Sequence, residues 1–282
     1  MSEEGSFRQS IARRTSPLNE EILLSYRMAG SGGHVFCLIP SVGRDSSDLE
    51  DLALALVKAG NTVLLPEPRG LAGSTGPLSD LILEDLALDV AAVIDVVALG
   101  PVILAGHAFG GMVAGLLAEL RPDLIVGLVL LAYGGPDYPK ILGKMIDRVS
   151  SGIAEEDEAR AILKQTFFWG DNGLDEWLSG WNVGVIASQR SARLRTGITE
   201  GWGGQEIPVL DLMADADPFR PIETAGHIRV RLGNRVTMRR IKEARHGLPA
   251  EKPQDTAVEI LDWLNGLHSA PPQTPTSDEP VL

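Results

Sequence analysis

The chain alternates short, continuously apolar runs with longer stretches in which apolar residues recur at three- and four-residue spacing. Runs at 34–39, 62–65, 102–105, 125–131, 209–213 and 235–241 have strand length, and most lack the alternation of a half-exposed sheet. Such runs predict parallel strands covered on both faces. The stretches at 48–59, 81–97, 109–119 and 255–267 carry the helical period. Asp48 stands in the first turn of the first, and Ser79-Asp80 offers a cap before the second. Ala257, Ile260, Leu261 and Leu264 stripe the last, with Trp263 read as a core residue. Strand and helix in alternation predict the α/β class, a mostly parallel central sheet flanked by helices.

One segment, 138–206, breaks the rhythm. It has no clear strand, a charged helical stretch at 154–164, and Trp169, Trp177, Trp181 and Trp202, four of the five tryptophans in the chain. A helical insertion of this kind reads as a cap over the carboxyl edge of the sheet, where open α/β sheets bind their ligands. Its indole rings either fill the cap's own small core or line an apolar substrate pocket. The expected layout is an N-terminal extension at 1–21, a core at 22–137 and 207–268, the helical cap at 138–206, and a disordered tail at 269–282. That tail carries Pro271, Pro272, Pro275 and Pro280 and lacks the apolar content to pack.

Charge and composition narrow the function. A formal charge of −13 without a basic cluster excludes a nucleic-acid partner. The longest apolar stretches are interrupted too early to cross a bilayer, so no membrane partner is expected. The first residues lack an apolar secretory region, which predicts a cytoplasmic protein. Cys37, the single cysteine, sits in an apolar run and reads as a small buried hydrophobe. Neither metal-ligand spacing nor a phosphate or dinucleotide loop is present, so no cofactor and no metal are expected. A small-molecule substrate remains as the partner, with a homodimer left open.

The strongest local signal is Val102-Ile103-Leu104-Ala105-Gly106-His107-Ala108-Phe109-Gly110-Gly111-Met112, an apolar strand entering a helix through a glycine-flanked turn. That is the setting of a nucleophile elbow, whose backbone passes so closely that small residues are needed two before and two after its centre. Here the sequence resembles the α/β-hydrolase family, from about Ile22 to Leu267. The resemblance implies the α/β-hydrolase fold and a Ser-His-Asp type site in the chain order elbow, acid, histidine. Arg245-His246-Gly247 resembles the family's histidine loop, and His246 follows a strand and precedes a helix. The turn Ala214-Asp215-Ala216-Asp217-Pro218 resembles the one presenting the acid; its register points to Asp217, with Asp215 as the rival. By the same resemblance the backbone N–H groups of Val42 and Phe109 form the oxyanion hole. The first of these loops departs from the family, with Pro40-Ser41 where a His-Gly pair commonly stands. Ser41 either hydrogen-bonds substrate or caps its loop, and His107 packs or orients the elbow beside the substrate site. Trp169, Trp177 and Trp181 are the candidate substrate-binding rings. His34, His227 and His268 read as surface residues.

The larger departure is Ala108, which stands where the family places its nucleophilic serine. A methyl group cannot attack a carbonyl, so this chain forms no acyl-enzyme there. Either a serine was replaced to trap substrate, or alanine is natural and the site works differently. The first case implies a hydrolase of apolar esters or lactones, or, with aspartate in the parent, an epoxide hydrolase or dehalogenase. The second leaves His246 and Asp217 as a general base for a lyase or cyclase reaction. A non-catalytic receptor on the same fold is the third reading.

Overall fold

Alternate residues of the central strands face opposite layers of helix, which is why their sequences are apolar without interruption. In β5 (Val102–His107), Val102 and Leu104 join one buried cluster while Ile103 and Ala105 join the other. The computed structural model describes residues 6–134, 139–196, 207–221, 223 and 225–269, the side chains of the last two excepted. Trp202 and the tail from 270 lie outside the described residues, as do the His268 side chain and the ends of the predicted cap.

Among the described residues the sheet has eight strands in the order β1-β2-β4-β3-β5-β6-β7-β8. These are β1 (Arg8–Thr15), β2 (Glu21–Ala29), β3 (Val35–Ile39), β4 (Thr62–Pro66), β5, β6 (Ile125–Leu131), β7 (Val209–Ala214) and β8 (Val236–Ile241). β2 pairs antiparallel with β1 and β4, and every other neighbouring pair is parallel. The predicted parallel runs all appear as strands. The antiparallel β1 and β2 do not follow from the apolar-run criterion, and β1 falls in the stretch read as an extension. Its sequence RQSIARRT buries only Ala12, because an edge strand turns most of its side chains to water.

Helices α2 (Leu83–Val97) and α3 (Phe109–Leu120) cover one face, and α1 (Glu50–Lys58) and α9 (Pro253–Ser269) cover the other. Trp263 of α9 is 2% exposed within the second cluster, as expected of a core residue. The cap of α2 differs from expectation. Asp80 has φ of 59° and stands outside the helix, and the Asp85 carboxylate instead accepts the Ile82 N–H at 3.2 Å. Between β6 and β7 lie α4 (Lys140–Ser150), α5 (Glu156–Thr166) and α6 (Val183–Thr196). This insertion has its own core, in which Leu142, Ile146, Leu163, Phe168 and Trp177 meet Phe219 from beyond β7. The short helices α7 (His227–Leu232) and α8 (Leu248–Glu251) flank β8.

Strand register sets the site. Ile39 at the end of β3 lies beside Gly106 of β5, and His107 lies beside Leu131 of β6. The loops after β3, β5, β7 and β8 therefore leave the same edge of the sheet, the carboxyl edge on which parallel sheets build their sites.

Candidate active site

β5 ends at His107, α3 begins at Phe109, and the single residue between them takes the whole change of direction. Ala108 has φ 49° and ψ −109°, a conformation that costs a non-glycine residue about 1–3 kcal/mol. Its N–H donates to the Leu131 carbonyl at 3.0 Å, and its own carbonyl accepts the Gly111 N–H at 3.0 Å. The flanking glycines are sterically required. A Cβ on Gly106 would stand 2.2 Å from the Gly110 carbonyl oxygen, and one on Gly110 would stand 2.4 Å from that of Ile39. The turn thus holds Ala108 at the N-terminus of α3, where helix N–H groups without intrahelical partners favour negative charge.

Beyond β6 in the sheet, β7 and β8 lead into the loops that carry Asp217 and His246. His246 Nδ1 donates to Asp217 Oδ2 at 2.8 Å, and the other carboxylate oxygen accepts the Phe219 N–H at 2.8 Å. Both side chains are buried. The pairing leaves His246 Nε2 as the nitrogen available for proton transfer. The ring is packed by Phe219, with centroids 4.2 Å apart, and by Phe167 edge-on at 5.1 Å. Asp215, the rival acid, is exposed, and its N–H donates to the Ile241 carbonyl at 3.0 Å.

His107 supports the histidine loop from beneath. Its Nε2–H donates to the His246 carbonyl at 2.7 Å. Burial, and then the neighbouring His246 imidazole, push its pKa down to about 3, so the ring is neutral.

The loop after β3 is clamped by the insertion. Gly43 donates its N–H to Gln189 Oε1 of α6 at 2.8 Å and accepts the Asn182 N–H at 3.1 Å. Arg44, 3% exposed, forms two hydrogen bonds to Asp48, donates to the carbonyls of Ser179 and Glu176, and lies over the rings of Trp177 and Trp181. Above the elbow these elements enclose a cavity of about 110 Å³, whose wall includes Ser41, Val42, Ala108, Phe109, Trp181 and His246.

Residues 30–260 match the model of the alpha/beta hydrolase family. The chain belongs to that family. A lipase of Mycobacterium tuberculosis, LipV, is 40% identical over 86 residues, 29% of this chain and 32% of the lipase, so the match spans about a third of that curated relative. In fold, this alpha/beta hydrolase superposes on a thermophilic esterase from Thermogutta terrifontis with a TM-score of 0.72 at 20% identity, covering 93% of this chain and all of the other. An epoxide hydrolase from Vigna radiata gives 0.67 at 15% identity, over 91% of this chain and 99% of the other. Such distant likenesses show the fold alone.

Ser41, Val42, Ala108, Phe109, Trp181 and His246 meet at one cavity, with Asp217 behind His246. Three candidate substrate-binding residues do not reach it. Trp169 is 53% exposed and stacks under Arg245, because its segment runs along the outer surface. Trp177 is buried in the insertion's own core, and His107 is wholly buried beneath the elbow. His34 and His227 are half-buried, each beside an aromatic ring, Phe36 and Tyr133 respectively.

Other residues shape the site without having been singled out from sequence. Glu251 accepts N–H bonds from Gly170 and Arg245, each at 2.9 Å, and one from Trp169, tying the insertion to the histidine loop. Arg220 pairs with Asp211 through two hydrogen bonds in full burial and donates to the Ala225 carbonyl. The Asp211 carboxylate inside the apolar run of β7 was a readable signal, since a buried charge demands a partner. Gln189, Arg190 and Arg193 carried no such signal, because α6 has little amphipathic pattern. Among the described residues no His, Cys, Asp and Glu group is arranged to hold a metal ion, and no helix is long and apolar enough to cross a membrane.

Proposed function

We propose that this protein is a carboxylic-ester hydrolase scaffold that binds its substrate but, with Ala108 at the elbow, forms no acyl-enzyme. The reading rests on one arrangement: His246, held by Asp217 at 2.8 Å, shares a cavity with a residue kept in strained elbow geometry although it has no nucleophile to present. A protein with no further use for a reacting atom at that point has no reason to bear the strain.

The geometry supports the following chemistry for the serine form. Serine oxygen attacks the ester carbonyl carbon as His246 Nε2 takes its proton, and Asp217 stabilises the imidazolium. The oxyanion is received by the N–H groups of Val42 and Phe109. Collapse expels the alcohol with the proton from His246, and water, deprotonated by the same ring, releases the acid. The insertion acts as the cap, and its Trp181 contributes to an apolar wall suited to esters or lactones.

The test is Ala108→Ser assayed on short-chain p-nitrophenyl esters and lactones. Turnover on the order of 10³-fold or more above the parent chain, blocked by a serine-directed phosphonate, is the expected result. A second reading, non-covalent general-base catalysis by His246, is favoured by Ala108 itself. It is adopted instead if the Ser form is inert while the parent exchanges a substrate C–H proton in a His246-dependent way.

A further inference from the structure

Ser41 opens the loop after β3 and borders the cavity, although it is only 5% exposed. Its carbonyl accepts the Arg44 N–H at 3.3 Å and Gly43 has φ of 68°, so residues 41–44 form a turn of the kind that needs a positive φ at its third position. A serine at the head of such a turn ordinarily uses its hydroxyl to accept the N–H two residues ahead. That N–H belongs to Gly43, and it is already donated to Gln189 Oε1 of α6 at 2.8 Å. Deprived of its local partner, Ser41 Oγ has no hydrogen bond among the described residues. It is not among the polar atoms sealed inside the protein either, so it opens on the cavity that Ser41 lines. Other polar groups of the wall are committed: Trp181 Nε1 donates to the Trp177 carbonyl at 2.8 Å, His246 Nδ1 to Asp217, and Arg190 pairs with Asp147. When a ligand displaces solvent from this wall, a hydroxyl left unpaired would cost roughly 1–3 kcal/mol, so the ligand atom set against it is one that can share a hydrogen bond. The surroundings point to which atom that is. Val42 is the next residue, and a Cβ on Gly110 would stand 2.5 Å from the Pro40 carbonyl oxygen, so the loop lies directly on the first turn of α3, beside Phe109. The hydroxyl thus leaves the chain next to the two backbone donors that receive the ester carbonyl.

We propose that the Ser41 hydroxyl is a third donor to the ester carbonyl oxygen, acting with the N–H groups of Val42 and Phe109, and that Gln189 frees it for this by taking the Gly43 N–H. The inference rests on the ester-hydrolase reading for the identity of the acceptor. The hydroxyl keeps its proton throughout. It donates to an oxygen on which negative charge develops, and so stabilises the transition state more than the bound ester.

The experiment has two arms. In the Ala108→Ser background, Ser41→Ala is expected to lower kcat on p-nitrophenyl butyrate on the order of 10²-fold with KM little changed, and Ser41→Thr, which keeps the hydroxyl, to restore part of the rate. With the chain as it stands, difference infrared spectra of carbonyl-labelled butyl butyrate read the hydrogen bonding of the bound carbonyl; its stretch is expected at lower frequency than in the Ser41→Ala variant. A serine that only shaped its loop would neither split kcat from KM nor move that stretch. Should Ser41→Ala fail to fold, Ser41→Cys, similar in shape with a far weaker donor, is read in its place. An unchanged kcat, or a stretch indifferent to Ser41, overturns the proposal and leaves the hydrolase reading standing. A Ser41-dependent stretch in a chain whose Ala108→Ser form hydrolyses no ester removes the hydrolase reading and leaves Ser41 as a carbonyl anchor. An ester neither bound nor hydrolysed removes both.

Discussion

Individual residues at the elbow carry both chemistry and stability, and the two can be measured apart. In the Ala108→Ser background, Asp217→Asn is expected to lower kcat by about 10⁴-fold, because the amide no longer holds the His246 tautomer or stabilises the imidazolium; steady-state ester hydrolysis reads this directly. Gly110→Ala sets a methyl against the Ile39 carbonyl at 2.4 Å. Since backbone cannot move aside as a flexible side chain does, the loss is expected at the upper end of about 1–3 kcal/mol or beyond, read by urea unfolding.

His107 supplies a pH signature. Its imidazole takes a proton near pH 6.5 when unfolded but only near about 3 in the folded chain. Between those values the unfolded chain binds more protons, so the group's contribution to stability falls as pH falls and is flat above the upper value. His107→Gln keeps a donor for the His246 carbonyl and does not titrate. Between about pH 7 and about pH 5 it should lose about 2 kcal/mol less than the parent, measured by paired urea titrations.

At the scale of elements, the insertion and the loop after β3 form one mechanical unit. Gln189 holds Gly43, and Arg44 reaches back to Ser179 and Glu176, so the Val42 N–H is positioned by a segment more than a hundred residues away. Gln189→Ala in the Ala108→Ser background should reduce kcat by about 10- to 100-fold with KM little changed, since a displaced donor matters most once charge develops on the oxygen. Arg44→Met leaves Asp48 buried without its partner and should cost about 3–5 kcal/mol, and adding Asp48→Leu should recover much of the loss. Asp48 is already pushed up in pKa by burial, against the pull of Arg44. Periodicity was silent about the clamp, because α6 has little amphipathic pattern and Gln189 and Arg44 look like surface residues until the elements meet.

For the molecule as a whole, the sheet closes one side with the polar strand β1, whose arginines guard the edge against pairing with other chains. Removing residues 1–15 would bare the edge of β2 beside Ile22, Leu24 and Tyr26. Concentration-dependent association, seen by light scattering and absent from the full chain, is the expected outcome.

What the sequence determined by itself was whatever is encoded locally. Continuous apolar runs specify strands buried on both faces, and a strand passing into a helix through Gly106 and Gly110 specifies the elbow, because only that spacing lets the backbone through. The order of elbow, acid and histidine came only from the resemblance to the family, while the methyl group at Ala108 is plain in the sequence itself. Tertiary structure alone decided the questions that depend on distance between segments remote in the chain. It chose Asp217 over Asp215 by bringing one carboxylate to His246 Nδ1, and it sorted the tryptophans into a cavity ring, Trp181, a core ring, Trp177, and a surface ring, Trp169. It also set two arginines in the wall of an acidic protein's cavity. No residue type carries such information, since the direction of a side chain on a loop or weakly amphipathic helix is fixed by what packs against it.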